Sequence, residues 1–291
     1  MSSTIIAKST AGLTESQRAA LLTLLADEDP AVYRPVREKI LAGGRAVCEW
    51  LRPHTLSSDP VLRRRAVEII QHFARQAADD RFLAFCLRHH GEEFNLEQGI
   101  WLLAQTQYPD TNLEAYQALL DSYAGELRER IGPAAKPRLA LTTINNFLFE
   151  ELGFRGDEKN YYDPDNSYLN RVMDRRLGNP IGLSLIYLLV TRRLRLPVTG
   201  ISLPGHFLCR LQSPTEEIYI DTFYRGRFLT KNDCIHHLVR GSYNLQEEHL
   251  TPASAHRILM RVCANLHQGY RRMKLAEEVN RLQRYVIALA R

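Results

Sequence analysis

The chain has 291 residues, of which 45% are hydrophobic and 24% are charged, and its formal net charge is +5. These fractions are ordinary for a folded protein and exclude a mainly disordered chain. The basic residues are scattered among acidic ones, so we do not expect nucleic-acid binding from charge alone.

The first residues, MSSTIIAKSTAGL, lack the basic start, the long apolar run and the small-residue cleavage site of a secretory signal. No apolar stretch approaches the roughly 18 residues that a bilayer-spanning helix requires. We therefore expect a cytoplasmic protein with no membrane partner.

Residues 13–123 show helical periodicity and almost no strand pattern. Thr14 and Gln17 have the spacing of a capping box, and a second helix is predicted from Ala31 to the glycine pair after Ala42. The segments DEDPAVYRPVREKIL and SSDPVLRRRAVEIIQ resemble each other at a spacing of about 30 residues. The pattern predicts a HEAT-like helical region over residues 1–125, although an irregular helical domain explains it equally well.

A break at IGPAAKP, residues 131–137, separates helical segments near the start of a predicted core at residues 126–245. After Leu141 we predict a helix, LTTINNFLFEELGF, that ends at Gly153. The segment GNPIGLSLIYLLVTRR, residues 178–193, is apolar nearly all round, so it predicts a helix buried on every side. Pro180 suits the first turn of that helix, where an N–H has no intrahelical partner.

Two segments after this helix, ISLPGHFLCRL and EIYIDTFYRG, are predicted to be strands and carry His206 and Asp221. A helix N-terminus facing a histidine and a carboxylate is suited to nucleophilic catalysis. The dipole acidifies a thiol, the imidazole takes its proton, and the acid orients the imidazole. Spacing alone is also compatible with purely structural roles for both residues.

The motifs GNPIGLSLIYL, PGHF and IDTF occur in an order that resembles the SirB-type branch of the transglutaminase-like superfamily. The resemblance implies an α+β core of the papain and transglutaminase type with a small antiparallel sheet. It also implies that the family's Gly-x-Cys falls on residues 178–180, so that Pro180 replaces the nucleophile. His206 and Asp221 match the remaining members of the family's triad.

Two other side chains, Ser184 and Cys209, are candidate nucleophiles. Ser184 lies four residues along the helix from Pro180 and therefore on the same stripe, although a hydroxyl in mid-helix usually bonds back to a carbonyl. Cys209 is three residues beyond His206, which on a continuous strand would point it to the opposite face.

The sequence predicts no cofactor and no metal site. His236 and His237 are adjacent, so on a helix they point about 100° apart and cannot easily bind one ion. The five cysteines are widely separated and contain no C-x-x-C pair, which is typical of reduced buried thiols.

Residues 246–291 predict two amphipathic helices that join near Gly269–Met273 and resemble a single TPR-like hairpin. One such pair cannot bury both of its apolar stripes alone, so it is expected to pack on the core or on a partner.

The sequence therefore predicts an α+β, predominantly helical protein with a HEAT-like region, a transglutaminase-like core and a TPR-like hairpin. We expect a catalytically degenerate protein that acts as an interaction or regulatory scaffold with a protein partner. The alternative is a hydrolase or acyl-transferase that uses His206 and Asp221 with Ser184 or an activated water. A third class, binding of anionic ligands or nucleic acid, rests on three arginines close to the site, which are Arg171, Arg175 and Arg176. The oligomeric state stays open.

Overall fold

The computed structural model describes residues 13–88, 94–132, 135–214, 216–244 and 246–290. These ranges leave out most of the N-terminal segment from which a cytoplasmic location was predicted. They also leave out residues 133–134 of the predicted break. The described chain is predominantly helical with a small antiparallel sheet, which confirms the predicted fold class at that level.

The chain forms two compact units. One contains residues up to Asp80 together with Thr106–Pro109, and the other contains Arg81–Gln105 together with the chain from Asp110 onward. The boundaries predicted near residues 125 and 245 both fall inside the second unit. The three-part division, with its HEAT-like and TPR-like parts, stays a prediction.

The helices are α1 (Glu15–Ala26), α2 (Pro30–Leu41), α3 (Val47–Leu51), α4 (Pro60–Arg88), α5 (Leu96–Gln107), α6 (Leu113–Ile131), α7 (Pro137–Asn145), α8 (Leu169–Arg175), α9 (Pro180–Arg193), α10 (Lys231–Arg240), α11 (Ala255–Arg272) and α12 (Ala276–Leu289). The strands are β1 (Arg155–Gly156), β2 (Leu177–Gly178), β3 (Val198–Ile201), β4 (Leu208–Gln212), β5 (Glu217–Asp221) and β6 (Arg227–Leu229). Among the residues in the described ranges, no helix is long and apolar enough to cross a bilayer.

Local signals set the helix starts in the first unit. The predicted capping box of α1 is present, because Thr14 Oγ1 accepts from the Gln17 amide at 3.3 Å and Gln17 Oε1 accepts from the Thr14 amide at 2.9 Å. Helix α2 begins at Pro30, one residue before the predicted start, since the Asp29 carboxylate accepts from the Ala31 amide. The apolar stripes of these helices meet in one core that contains Leu21, Leu25, Ile40, Val47, Leu51, Ala66, Ile69 and Phe73.

Helix α9 is the centre of the second unit. Its residues from Pro180 to Thr191 are all buried, which confirms the prediction of a helix enclosed on every side. Strands β3, β4, β5 and β6 form an antiparallel sheet in chain order, and β1 pairs with β2 as a short parallel ladder.

The prediction of a single strand through ISLPGHFLCRL is wrong. The first residue of this segment, Ile201, is the last residue of β3. The chain then turns and enters β4 at Leu208. The turn is closed by the His206 amide, which donates to the Leu203 carbonyl at 3.1 Å, and Gly205 adopts a φ of 74° that favours glycine. His206 therefore lies in the turn before β4, whereas Asp221 is the last residue of β5.

The start of α7 also differs from prediction. Helix α7 begins at Pro137, where a proline fits the first turn, and after Asn145 the chain continues as a wider π-helical turn to Glu151. The predicted end of this helical segment at Gly153 is confirmed, since that residue adopts a φ of 75°.

The predicted join of the C-terminal helices at Gly269–Met273 overlaps the observed one at Met273, because α11 continues to Arg272 and α12 begins at Ala276. Gly269 itself lies inside α11, where it allows a close approach. A Cβ at position 269 would lie 2.7 Å from the Tyr162 carbonyl oxygen. This approach brings α11 against the loop that holds Tyr161 and Tyr162.

Candidate functional site

The N-terminus of α9 is held by Asn179. Its side-chain oxygen accepts from the Gly182 amide at 2.8 Å, and its amide nitrogen donates to Ser167 Oγ at 2.7 Å. Pro180, the first helical residue, has no N–H to donate. The Ile181 amide is therefore the first N–H of this helix end that could face a ligand.

Gly182 allows the loop before α8 to lie against this end of the helix. A Cβ at position 182 would be 2.3 Å from the backbone oxygen of Asn166. That same oxygen accepts from the Asn179 amide at 3.2 Å, so the loop and the helix start are fixed to each other.

His206 and Asp221 form the predicted pair. His206 Nε2 lies 2.9 Å from Asp221 Oδ2, and their side chains are 12% and 7% exposed. The other carboxylate oxygen, Oδ1, accepts from the backbone amides of Phe223 at 3.2 Å and Tyr224 at 3.4 Å. Three contacts thus orient the carboxylate, which in turn orients the imidazole so that Nδ1 points away from Asp221.

A cavity of about 240 Å³ joins the two elements, because Pro180 and His206 both line it. A neighbouring cavity of about 440 Å³ is lined by His206, Asp221 and Tyr224. The N-terminal end of α9 and the imidazole therefore border the same solvent space.

Ser184 lies away from both cavities and is completely buried. Its Oγ is 2.8 Å from Thr222 Oγ1, and Thr222 Oγ1 in turn donates to the Pro180 carbonyl at 3.4 Å. The Ser184 hydroxyl was predicted to bond back to a carbonyl of its own helix. It contacts the Thr222 hydroxyl instead, and Thr222 bonds the Pro180 carbonyl. This hydroxyl pair fixes β5 and its following turn to α9.

Cys209 is also sealed in the core. Its Sγ contacts the Ser184 carbonyl at 3.8 Å, and burial raises the pKa of this thiol to about 12. Burial likewise raises the pKa of Cys86 and Cys234 to about 12. Within the described ranges no cysteine lines either cavity.

His237 lines the larger cavity, and its ring centroid lies 5.7 Å from that of His206. His236 is an exposed neighbour on α10. Among the described side chains, no group of three or more histidine, cysteine or acidic residues could hold a metal ion.

The three arginines proposed for anion binding are engaged by the protein. Arg171 lies 3.1 Å from Asp165, and Arg175 lies 3.0 Å from Asp163. Arg176 donates to the Leu152 carbonyl at 2.6 Å. Each of the three guanidinium groups thus has a contact within the fold.

Several cavity residues were not found from sequence. They come from the loop before α8 and from α11, and they are Tyr161, Tyr162, Ser167, Arg261, Asn265 and Gln268. Three of them, Arg261, Asn265 and Gln268, form a polar stripe at i, i+4 and i+7 on α11, which is a signal visible in the sequence. Nothing in the chain order connects this stripe with α9.

Residues 114–264 match the family described as Transglutaminase-like superfamily. A UPF0162 protein of Xylella fastidiosa is 39% identical over 176 residues, which cover 58% of this chain and 62% of that protein. A UPF0162 protein of Pseudomonas aeruginosa is 29% identical over 178 residues, covering 59% of this chain and 63% of its own length. The chain thus spans less than two thirds of these relatives. F-box only protein 21 of Mus musculus is 34% identical over 139 residues, which cover 43% of this chain and 21% of that protein. No solved structure matches.

Proposed function

The chain belongs to the transglutaminase-like superfamily, and we propose that it uses the cavity at the N-terminus of α9 to bind a peptide segment of a protein partner without cleaving or transferring it. We place it in the SirB-type branch and in the cytoplasm as part of the same proposal.

The observation that carries this proposal is Pro180 at the cavity end of α9. A proline supplies neither a thiol to attack an acyl group nor an N–H to stabilise the resulting oxyanion. Losing one oxyanion donor alone typically lowers kcat by about 10²- to 10³-fold. Both losses act on the chemical step and leave ground-state binding intact.

Neither Ser184 nor Cys209 is placed to act as a substitute nucleophile. Ser184 has its hydroxyl engaged by Thr222 inside the core. Cys209 is equally buried, and its raised pKa keeps the thiol protonated and unreactive.

Exposed tyrosines around the cavities favour a protein partner. Tyr162 and Tyr243 are each 41% exposed at the smaller cavity, and Tyr224 is 54% exposed at the larger one. Tyrosine contributes a large contact area at a low cost in conformational entropy and is enriched at binding surfaces. In the mouse relative the matched region is 21% of a longer chain, which is consistent with use of this fold as one part of a larger protein.

Binding is tested by selecting displayed peptides on the purified chain and measuring the affinity of a selected peptide by fluorescence anisotropy. Tyr224→Ala and Tyr243→Ala are expected to weaken binding at least fivefold. Leu139→Ala, an exposed apolar residue of α7 away from both cavities, is the matched control and is expected to change nothing. Affinity unaffected by both tyrosine changes would contradict the proposal.

Lack of catalysis is tested separately on peptide, amide and isopeptide substrates. No turnover that depends on His206 is expected from the native chain. Turnover that is present in the native chain and abolished by His206→Ala would overturn this half of the proposal.

The second candidate is a hydrolase in which His206 activates a water. It is favoured by the 2.9 Å contact between His206 and Asp221 beside solvent space. It predicts turnover that His206→Ala and Asp221→Ala abolish. A version with Ser184 as nucleophile predicts loss in Ser184→Ala as well, so the three variants separate water from hydroxyl attack.

A further inference from the structure

Helix α11 presents a row of polar side chains to the smaller cavity. Arg261, Asn265 and Gln268 are spaced at i, i+4 and i+7, which places them on one face of the helix, and all three line the cavity. Pro180 and His206 line the same space. The row thus faces the solvent space in which a substrate-like segment would lie.

Arg261 is a half-buried cation at this cavity. Among the side chains that the structure describes, none forms an ion pair with it, and its Nη2 donates a long hydrogen bond of 3.5 Å to the Leu203 carbonyl. Burial lowers the pKa of this guanidinium, and the neighbouring hydroxyls of Tyr161 and Tyr243 offset this only in part. A guanidinium has five N–H donors, so most of them remain available to a ligand.

The other charged groups that line this cavity each have a partner of opposite charge. Asp163 lies 3.0 Å from Arg175, which also contacts Asp157 and Asp165, and His206 contacts Asp221. Among the described side chains that line the cavity, Arg261 is therefore the cation with no carboxylate within ion-pair distance. Desolvating a cation without a partner is costly, and an entering anion would offset that cost.

We propose that this cavity recognises the carboxylate of a bound peptide, with Arg261 as its counter-ion and Asn265 and Gln268 as further hydrogen-bonding groups. The inference rests on the proposed peptide-binding function and specifies its ligand. A cavity of about 240 Å³ accommodates one residue of a peptide. The carboxylate therefore belongs either to a C-terminal residue or to an aspartate or glutamate side chain.

Three random N-acetylated tripeptide libraries distinguish these sources. The first has a free C-terminal carboxylate and no acidic side chains, the second is C-terminally amidated and contains Asp or Glu, and the third is amidated and contains no acids. Peptides retained by the full chain are quantified by mass spectrometry. Retention of the first or the second library is expected to exceed retention of the third at least tenfold.

Matched variants test the role of Arg261. Arg261→Gln is expected to remove the preference for carboxylates. Arg257→Gln changes an exposed arginine one turn earlier on the same helix, away from the cavity, and is expected to preserve it. Asn265→Asp keeps Arg261 and supplies it with an internal carboxylate, so it is also expected to remove the preference. Asn265→Asp keeps the test decisive if Arg261→Gln fails to fold.

The outcomes separate this inference from the proposed function. Equal retention of all three libraries by the native chain would overturn carboxylate recognition and leave peptide binding standing. Retention of none would overturn both. Cleaved peptides whose appearance depends on His206 would contradict the non-catalytic proposal, while a carboxylate preference that depends on Arg261 would still stand.

Discussion

Pro180 and His206 line one cavity, so a side chain at position 180 and the imidazole share the same solvent space. The proposed loss of the nucleophile can therefore be tested at position 180, where a cysteine would place its thiol in the cavity that the imidazole lines.

Pro180→Cys is expected to create a reactive thiol. A cysteine in the first turn of a helix beside a histidine typically has a pKa of roughly 3.5–7.5, below that of an ordinary thiol. Alkylation by iodoacetamide at pH 6.5, followed by peptide mapping, is expected to modify position 180 at least tenfold faster than the half-buried Cys48.

The double variant Pro180→Cys, His206→Ala is the control for this reactivity. It is expected to require a higher pH for the same alkylation rate, because the neighbouring base is gone. Equal rates in the single and double variants would mean that His206 does not act on position 180.

Two helical glycines are expected to respond to alanine in opposite ways. In α9, Gly182→Ala places a methyl group 2.3 Å from the backbone oxygen of Asn166, so the helix start must shift. We expect a loss of about 1–3 kcal/mol in the free energy of unfolding. In α6, nothing lies within 4 Å of a Cβ at Gly125, so Gly125→Ala is expected to stabilise by about 0.5–1 kcal/mol.

Urea denaturation followed by circular dichroism measures both glycine variants. A Gly182→Ala protein as stable as the native chain would show that the loop at Asn166 yields easily. The contact between the loop at Asn166 and the start of α9 would then not be what holds the Pro180 end of the cavity in place.

The features that sequence predicted correctly are local. The capping box at Thr14 and Gln17 requires only a three-residue spacing, and the burial of α9 follows from its continuous apolar run. The pairing of His206 with Asp221 is not local. It was predicted from the order of the motifs, and in the structure His206 Nε2 lies 2.9 Å from Asp221 Oδ2.

The rest of the site depends on contacts between distant segments. Arg261 reaches the cavity from a helix that begins more than sixty residues after α9 ends, and no local pattern joins the two. Gly153 ends a helical segment with a φ of 75°, whereas Gly269 lies inside α11, where the absence of a side chain admits the Tyr162 backbone. The same residue type serves both purposes, and only the packing distinguishes them.

The buried Arg65 of the first unit is expected to contribute strongly to stability. Its Nη1 donates to the carbonyls of Leu25 and Asp27, where α1 ends, and its guanidinium lies 3.6 Å from the ring centroid of Tyr33. Arg65→Met leaves these carbonyls without the donor, so we expect a loss of about 2–3 kcal/mol.

Arg64→Met is the matched control, since Arg64 is exposed and lies 3.9 Å from Glu68 in a surface ion pair. Its change is expected to stay within about 0.5 kcal/mol. Chemical denaturation compares the two neighbours directly, and equal losses would show that the buried contacts of Arg65 are not what stabilises this unit.

Alkaline pH is expected to destabilise the protein through its buried thiols. Burial raises the pKa of Cys86, Cys209 and Cys234 from an ordinary value of 9.0 to about 12. Between these values the folded chain binds more protons than the unfolded chain, so the free energy of unfolding must fall as pH rises. The stabilisation is complete below about pH 9 and is lost progressively towards pH 12.

Cys209→Ala isolates one of these groups. The variant is expected to be less stable at neutral pH, because the side chain is fully buried, yet its stability should fall less steeply between pH 9.5 and 11. The slope should decrease by up to about 1.4 kcal/mol per pH unit, the limit for a single proton. Cys48→Ala, at a half-buried thiol, is the control and should change the slope less. An unchanged slope in Cys209→Ala would mean that this thiol becomes accessible before the chain unfolds.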